Sequence, residues 1–188
     1  MEQQLSIPRW NSQGVLPPAL SATGTFRSPY AVSSLQLVER FATTKERCKI
    51  LGGFFRYREA LHSAGIVSGF QWLDGSFMEQ VEVTENRAPR DIDVVSFLDL
   101  SQHDQQQLIT KYLHLFAPNQ ARQDFYVDAY IVELNSKLDK QLTSRITYWY
   151  SMWSHRRDGL WKGFLQLDLQ PDMDAEAIEL LSQVEVTL

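Results

Sequence analysis

The chain holds a single cysteine, Cys48, so no disulfide can form within it, and a fold stapled by sulfur bridges is excluded. Its histidines, His62, His103, His114 and His155, lie far apart, and no Cys/His cluster has the spacing of a zinc site. No apolar run approaches the ~20 residues that a membrane-spanning helix needs, which predicts no membrane partner. The opening MEQQLSIPRW lacks the basic and apolar regions of a secretory signal. With the free thiol, this predicts a cytoplasmic protein. Basic charge is also short: 18 Lys and Arg stand against 23 Asp and Glu, a net charge of -5. A general nucleic-acid coat is excluded, although a local basic groove is not. There is no internal repeat and no low-complexity stretch.

The 188 residues are 44% apolar, enough for one domain with a core that needs no staples. Residues 1–32 read as an irregular segment, broken by Pro8, Gly14, Pro17-Pro18, Gly24 and Pro29, and pinned to the body by Trp10, Val15, Leu16 and Phe26. Ser33 or Ser34 can cap a helix running to about Phe41, and Thr43 or Thr44 a longer one ending near Gly65. Gly52-Gly53 weakens that second helix by about 1 kcal/mol per glycine. Residues 66–73 read as a strand, 78–90 as a loop, and 91–98 as the best strand in the chain. Ser101-x-x-Asp104 has the form of a capping box before a helix that Pro118 is expected to end. Strands follow at 125–134 and 160–168, with a helix over about 136–153 and a last one starting at Asp172 or Asp174. The expected class is α+β (mixed α/β), with a sheet of about four strands flanked by helices; 33–188 form the main domain, with a C-terminal extension from about 136.

The chemistry lies between residues 73 and 93. Side chains alternate across a strand, so Asp91 and Asp93 project from one face, ~7 Å apart. Two such carboxylates in an apolar strand repel one another unless a cation sits between them, and hard oxygens suit Mg²⁺ or Mn²⁺. A solvated edge strand, or a pair of carboxylates matched with Arg90 and Arg87, is the plainer alternative. Gly75 permits a tight turn, and Ser76 with the backbone N–H groups can face a phosphate. A phosphate cradle beside a metal site is a layout for phosphoryl or nucleotidyl transfer. Arg156, Arg157 and Lys162 form a basic turn that can neutralise a triphosphate or an RNA backbone. Trp149, Trp153 and Trp161 read as core or a packing shelf before they read as a platform for stacking bases.

A strand ending in Gly75-Ser76, followed by Asp91-Ile92-Asp93 in an apolar strand, resembles the polymerase-beta-type nucleotidyltransferase superfamily. Gly14-Val15-Leu16-Pro17-Pro18, Phe41-Ala42-Thr43, Arg47, and later Trp149, Arg157, Gly159 and Lys162-Gly163-Phe164 resemble a group of small bacterial nucleotidyltransferase-like proteins carried as a domain of unknown function. The resemblance implies a nucleotidyltransferase-like fold and transfer of a nucleoside monophosphate from an NTP, ATP foremost, to a hydroxyl of a protein, a tRNA or a small molecule. It implies that Asp91 and Asp93 bind Mg²⁺, and that a third carboxylate on a later strand, Asp128 with Asp124 as runner-up, holds a second ion and helps deprotonate the acceptor. By the same resemblance Ser76 contacts the triphosphate, and a role in toxin–antitoxin or phage-defence systems is expected by analogy. The sequence departs from the pattern in a long loop between Ser76 and Asp91, and in Phe77-Met78, where small bacterial members often carry an arginine. An inactive nucleotide-sensing or protein-interaction module of the same fold is the rival expectation, and phosphodiester hydrolysis a third.

Overall fold

The computed structural model describes residues 7–21, 23–100, 105–134 and 138–188. Strand β1 (Tyr30–Val32) leads into helices α1 (Ser34–Phe41) and α2 (Lys45–Ser63). Strand β2 (Gly69–Asp74) is followed by a 3₁₀ turn (Ser76–Met78) and the short helix α3 (Val81–Thr84). Next come β3 (Ile92–Asp99), α4 (Gln105–Lys111), α5 (Leu113–Phe116), α6 (Pro118–Phe125) and β4 (Val127–Leu134). Helix α7 (Lys140–Trp153), strand β5 (Leu165–Asp168) and helix α8 (Asp174–Thr187) complete the order. Among the described residues the strands form one mixed five-stranded sheet in the order β1-β5-β2-β3-β4. β2 runs antiparallel to β3 and β5, while β3–β4 and β1–β5 are parallel pairs. No helix among the described residues is long and apolar enough to cross a membrane.

The mixed α/β class is as expected, with one more strand than the sequence suggested. That strand is β1, inside the segment expected to be irregular. It is three residues long, and its ladder partner β5 is distant in sequence, so no local pattern announces it. Ser33 caps α1 through a full capping box with Gln36, and Thr44 caps α2 by accepting from the Arg47 N–H. The helix before Pro118 stops at Phe116, with Ala117 extended as a residue before proline must be, and Pro118 itself opens α6, where its missing N–H and fixed φ suit a first turn. Part of the expected loop 78–90 is helix α3. The expected Ser101-x-x-Asp104 capping box lies outside the described residues.

Each face of the sheet has its own apolar layer. On one side Ile92, Val94 and Leu98 of β3 pack with α1, α2 and α8 residues such as Phe41, Phe54 and Leu181. On the other, Trp72, Val95, Phe97 and Val132 pack with Leu142 and Trp153 of α7 and with Phe164. The backbone of α2 comes so near the end of α6 that a Cβ on Gly53 would lie 2.1 Å from the Phe125 carbonyl oxygen. The glycine expected to weaken the helix is thus what allows α6 to dock. Tyr126, with φ 57° at the C-cap of α6, then turns the chain directly into β4.

Candidate functional site

Strand register assembles the site. β2 pairs with β3 so that Asp74 lies opposite Asp93, and β3 pairs with β4 so that Asp93 lies opposite Asp128. Residues directly opposite in a ladder point to the same face. Asp74, Asp93 and Asp128 therefore form a row across three strands, on the α7 side of the sheet. Asp91, two residues before Asp93, extends the row beyond the start of β3. The apolar residues of that face, Trp72, Val95 and Val132, continue the same alternation deeper into the sheet. The row is where a buried apolar layer gives way to an open cleft.

Gly75 follows Asp74 with φ 83° and ψ -171°, a region open essentially to glycine alone. A Cβ there would lie 2.7 Å from Cγ of Asp93. The backbone of the Gly-Ser turn therefore rests against the central carboxylate. The turn is held from outside by Arg47, fully buried, which donates to the carbonyls of Phe77 and Glu79, each at 2.6 Å, and to Glu82. Trp10 donates its indole N–H to the Met78 carbonyl, and the Gln80 N–H to that of Gly14. This is how the N-terminal segment bears on the site.

Two cations neutralise the row, one at each end. Lys162 Nζ donates to both carboxylate oxygens of Asp74, at 2.7 and 2.8 Å, and lies 3.2 Å from Glu79 Oε1. All three side chains are buried. At the other end the Arg122 guanidinium bridges Asp91 (Nε to Oδ2, 2.9 Å) and Asp128 Oδ2. Tyr130 donates its hydroxyl to the same Asp128 oxygen at 3.1 Å.

Asp93, in the middle of the row, forms an ion pair with neither cation, and its acidity records this. Burial, then the like charges of Asp91 and Asp128, push Asp93 up to about 6, and Lys162 and Arg122 pull only part of the way back. Burial also raises Asp74, against the pull of Lys162. For Lys162 burial acts downward, but Asp74 and Glu79 outweigh it and hold the ammonium above its ordinary value. Burial and Asp128 push the Tyr130 phenol up to about 12, so it serves as a donor at neutral pH.

Gly75, Ser76, Asp91, Asp93, Asp128, Arg157 and Lys162, the residues singled out in the sequence, all line one cavity of about 750 Å³. Acidic and basic side chains line it in equal number, and the aromatic side chains of Tyr130, Tyr148, Trp149 and Trp153 form one wall. Trp149 lies on Tyr130 with ring centroids 4.6 Å apart and edge-on to Trp153 at 5.6 Å. Trp161 is not part of this wall; it is 61% exposed beside His155. Asp124 is also elsewhere. It belongs to α6, not to a strand, and accepts from Gln120 of the same helix. The arginine that pairs with Asp91 is Arg122, whereas Arg87 pairs with Glu85. Among the described residues no group of three or more His, Cys, Asp or Glu side chains is arranged to hold a metal ion, and Asp91 and Asp128 each turn Oδ2 to Arg122.

Sequence reasoning missed Asp74, Glu79, Tyr130 and Arg122. Asp74 and Tyr130 carried a faint signal: one adjoins Gly75, and the other alternates with Asp128. Arg122 and Glu79 gave none, because each meets the site only through tertiary packing.

The chain matches the model of a family of unknown function, DUF6932, over residues 8–168, and it belongs to that family. No curated protein and no solved structure matches it.

Proposed function

We propose that this protein is a divalent-cation-dependent nucleotidyltransferase, moving a nucleoside monophosphate from an NTP to a hydroxyl acceptor. The observation that carries the reading is the row Asp74, Asp93 and Asp128 across β2, β3 and β4, with the Gly75 backbone against Asp93. The resemblance of Gly75-Ser76 and Asp91-Ile92-Asp93 to the polymerase-beta-type superfamily supports it, as does a cleft of the size that small ligands occupy.

The donor set suits a hard divalent ion, which these carboxylates would hold once Arg122 gives up its bonds to Asp91 and Asp128. Asp91, Asp93 and Asp128 offer carboxylate oxygens, and a guanidinium already stands in for a cation between two of them. Mg²⁺ or Mn²⁺ held by these three would neutralise charge on the transferring phosphate. Such an ion would also answer the charge that an NTP brings to the cavity. Its acidic and basic groups already balance, so a triphosphate brings a surplus of negative charge. Within this reading Gly75 and Ser76 let the backbone approach a phosphate closely, and Arg157 with Arg156 supplies cations at the mouth. Lys162 acts indirectly, by holding Asp74 and Glu79 beneath the turn. Asp128, oriented by the Tyr130 hydroxyl, takes the proton of the acceptor hydroxyl.

One observation favours a second reading. Arg122 already satisfies Asp91 and Asp128, which suits a module that senses nucleotide, or binds a protein, without catalysis. Incubation with α-labelled NTPs, Mg²⁺ and cell lysate separates the two. Label transferred to protein or RNA, and lost in Asp91→Asn and Asp93→Asn, supports the enzyme. Nucleotide binding with no transfer to any fraction refutes it and supports the sensor.

A further inference from the structure

We infer that Arg122 is the residue by which this site distinguishes a cation carrying a phosphate ligand from a bare cation. The inference rests on the metal-binding reading of Asp91, Asp93 and Asp128, and concerns how that site is loaded.

Arg122 spends its charge on two of the three proposed ligands, bonding Asp91 through Nε and Asp128 through Nη2. Both bonds fall on Oδ2 oxygens, so an ion shared by these carboxylates competes with the arginine for them. The arginine is free to yield. Its side chain is 47% exposed, against 24% for Asp91 and 13% for Asp128. Its backbone is not free to yield. It lies in the last turn of α6, whose end is locked by Gly53 packing on Phe125 and by the left-handed Tyr126 cap. Release therefore swings the guanidinium within the cleft and does not carry it away. A bare metal displaces Arg122 and leaves it with no carboxylate. A metal arriving with phosphate supplies the oxygens that a planar guanidinium fork takes best. Cation and phosphate thus bind with positive coupling, and Arg122 carries it.

The test is Mn²⁺ binding measured by electron paramagnetic resonance on the whole chain, with Mn²⁺ alone and with inorganic phosphate added. Arg122→Gln is expected to bind Mn²⁺ alone on the order of tenfold more tightly than wild type. Phosphate is expected to tighten Mn²⁺ binding in wild type and to lose that effect in Arg122→Gln. Asp124→Asn, on the same helix but outside the cleft, is expected to match wild type in both. If wild type binds Mn²⁺ and Arg122→Gln binds it no more tightly, the role given to Arg122 is overturned and the metal reading stands. If neither protein binds Mn²⁺, the metal reading fails and takes this one with it. Should Arg122→Gln not fold, the Arg122 Nε–Hε resonance of wild type decides: it shifts on saturation with Mg²⁺, or, by staying unchanged, overturns the proposal.

Discussion

Replacing Gly75 by alanine tests the geometry of the site without any knowledge of its substrate. Two costs are expected. The backbone holds φ 83° and ψ -171°, where an L residue is strained by about 1–3 kcal/mol. The new Cβ would also stand 2.7, 2.8 and 3.0 Å from Cγ, Oδ2 and Oδ1 of Asp93, and relieving such an overlap typically costs a further ~1–3 kcal/mol. Gly159 separates the two. Its φ is 85°, but a Cβ there meets nothing within 4 Å, so Gly159→Ala carries backbone strain alone, about 1–2 kcal/mol. Urea denaturation of both variants, with and without Asp93→Ala, completes a double-mutant cycle. Gly75→Ala is expected to be the more destabilising, and its excess to vanish when Asp93 is also alanine. At this chain length each kcal/mol lowers the melting temperature by about 2–4 °C, so the excess is measurable by thermal melting as well. Equal costs for the two glycines, within about 0.5 kcal/mol, would refute the close approach of the Gly-Ser turn to the central carboxylate.

Lys162→Met leaves Asp74 and Glu79 buried without their cation. Breaking such a pair typically costs about 3–5 kcal/mol, and adding Asp74→Asn should restore part of it, as read by urea denaturation. Asp93 titrates at about 6 in the folded chain against an ordinary 3.8, so between these values the folded state holds more protons than the unfolded. Its contribution is therefore present below about pH 4 and lost as pH rises toward 6. In metal-free buffer Asp93→Asn should gain stability over wild type across that window, by on the order of 2 kcal/mol, and a pH-independent difference between the two would contradict the assignment. Trp149→Ala should weaken nucleotide binding by about 1–3 kcal/mol if the aromatic wall of the cleft stacks a base. Lowered thermal stability with unchanged affinity in equilibrium titration would make it packing only.

What the sequence made legible were patterns carried by near neighbours. Alternation placed Asp91 and Asp93 on one face, and hydroxyl side chains ahead of apolar periodicity marked the starts of α1 and α2. The Gly-Ser turn was visible because only glycine takes its backbone angles. What stayed hidden depended on segments meeting at a distance. β1 is a strand because β5 lies beside it, not because of its own three residues. Pro118 was read as a stop because proline cannot sit inside a helix, yet the same chemistry makes it a good first residue. Asp124 was kept as a candidate by extending the alternation of β4 two residues too far, across the left-handed turn at Tyr126.

Arg122 shows why such a site is harder to read than the elements that bear it. A carboxylate in an apolar strand advertises itself, because burying it unpaired is expensive. An arginine in the last turn of a polar helix is ordinary. Its role appears only once β4 is laid parallel to β3, which sets Asp128 opposite Asp93 and puts the end of α6 above both. Four carboxylates gathered by register must find cations, and the fold provides one from a buried turn and one from an exposed helix end. The buried one, Lys162, is fixed. The exposed one can be exchanged, so the side of the row holding Asp91, Asp93 and Asp128 is where a ligand of either charge can enter the balance.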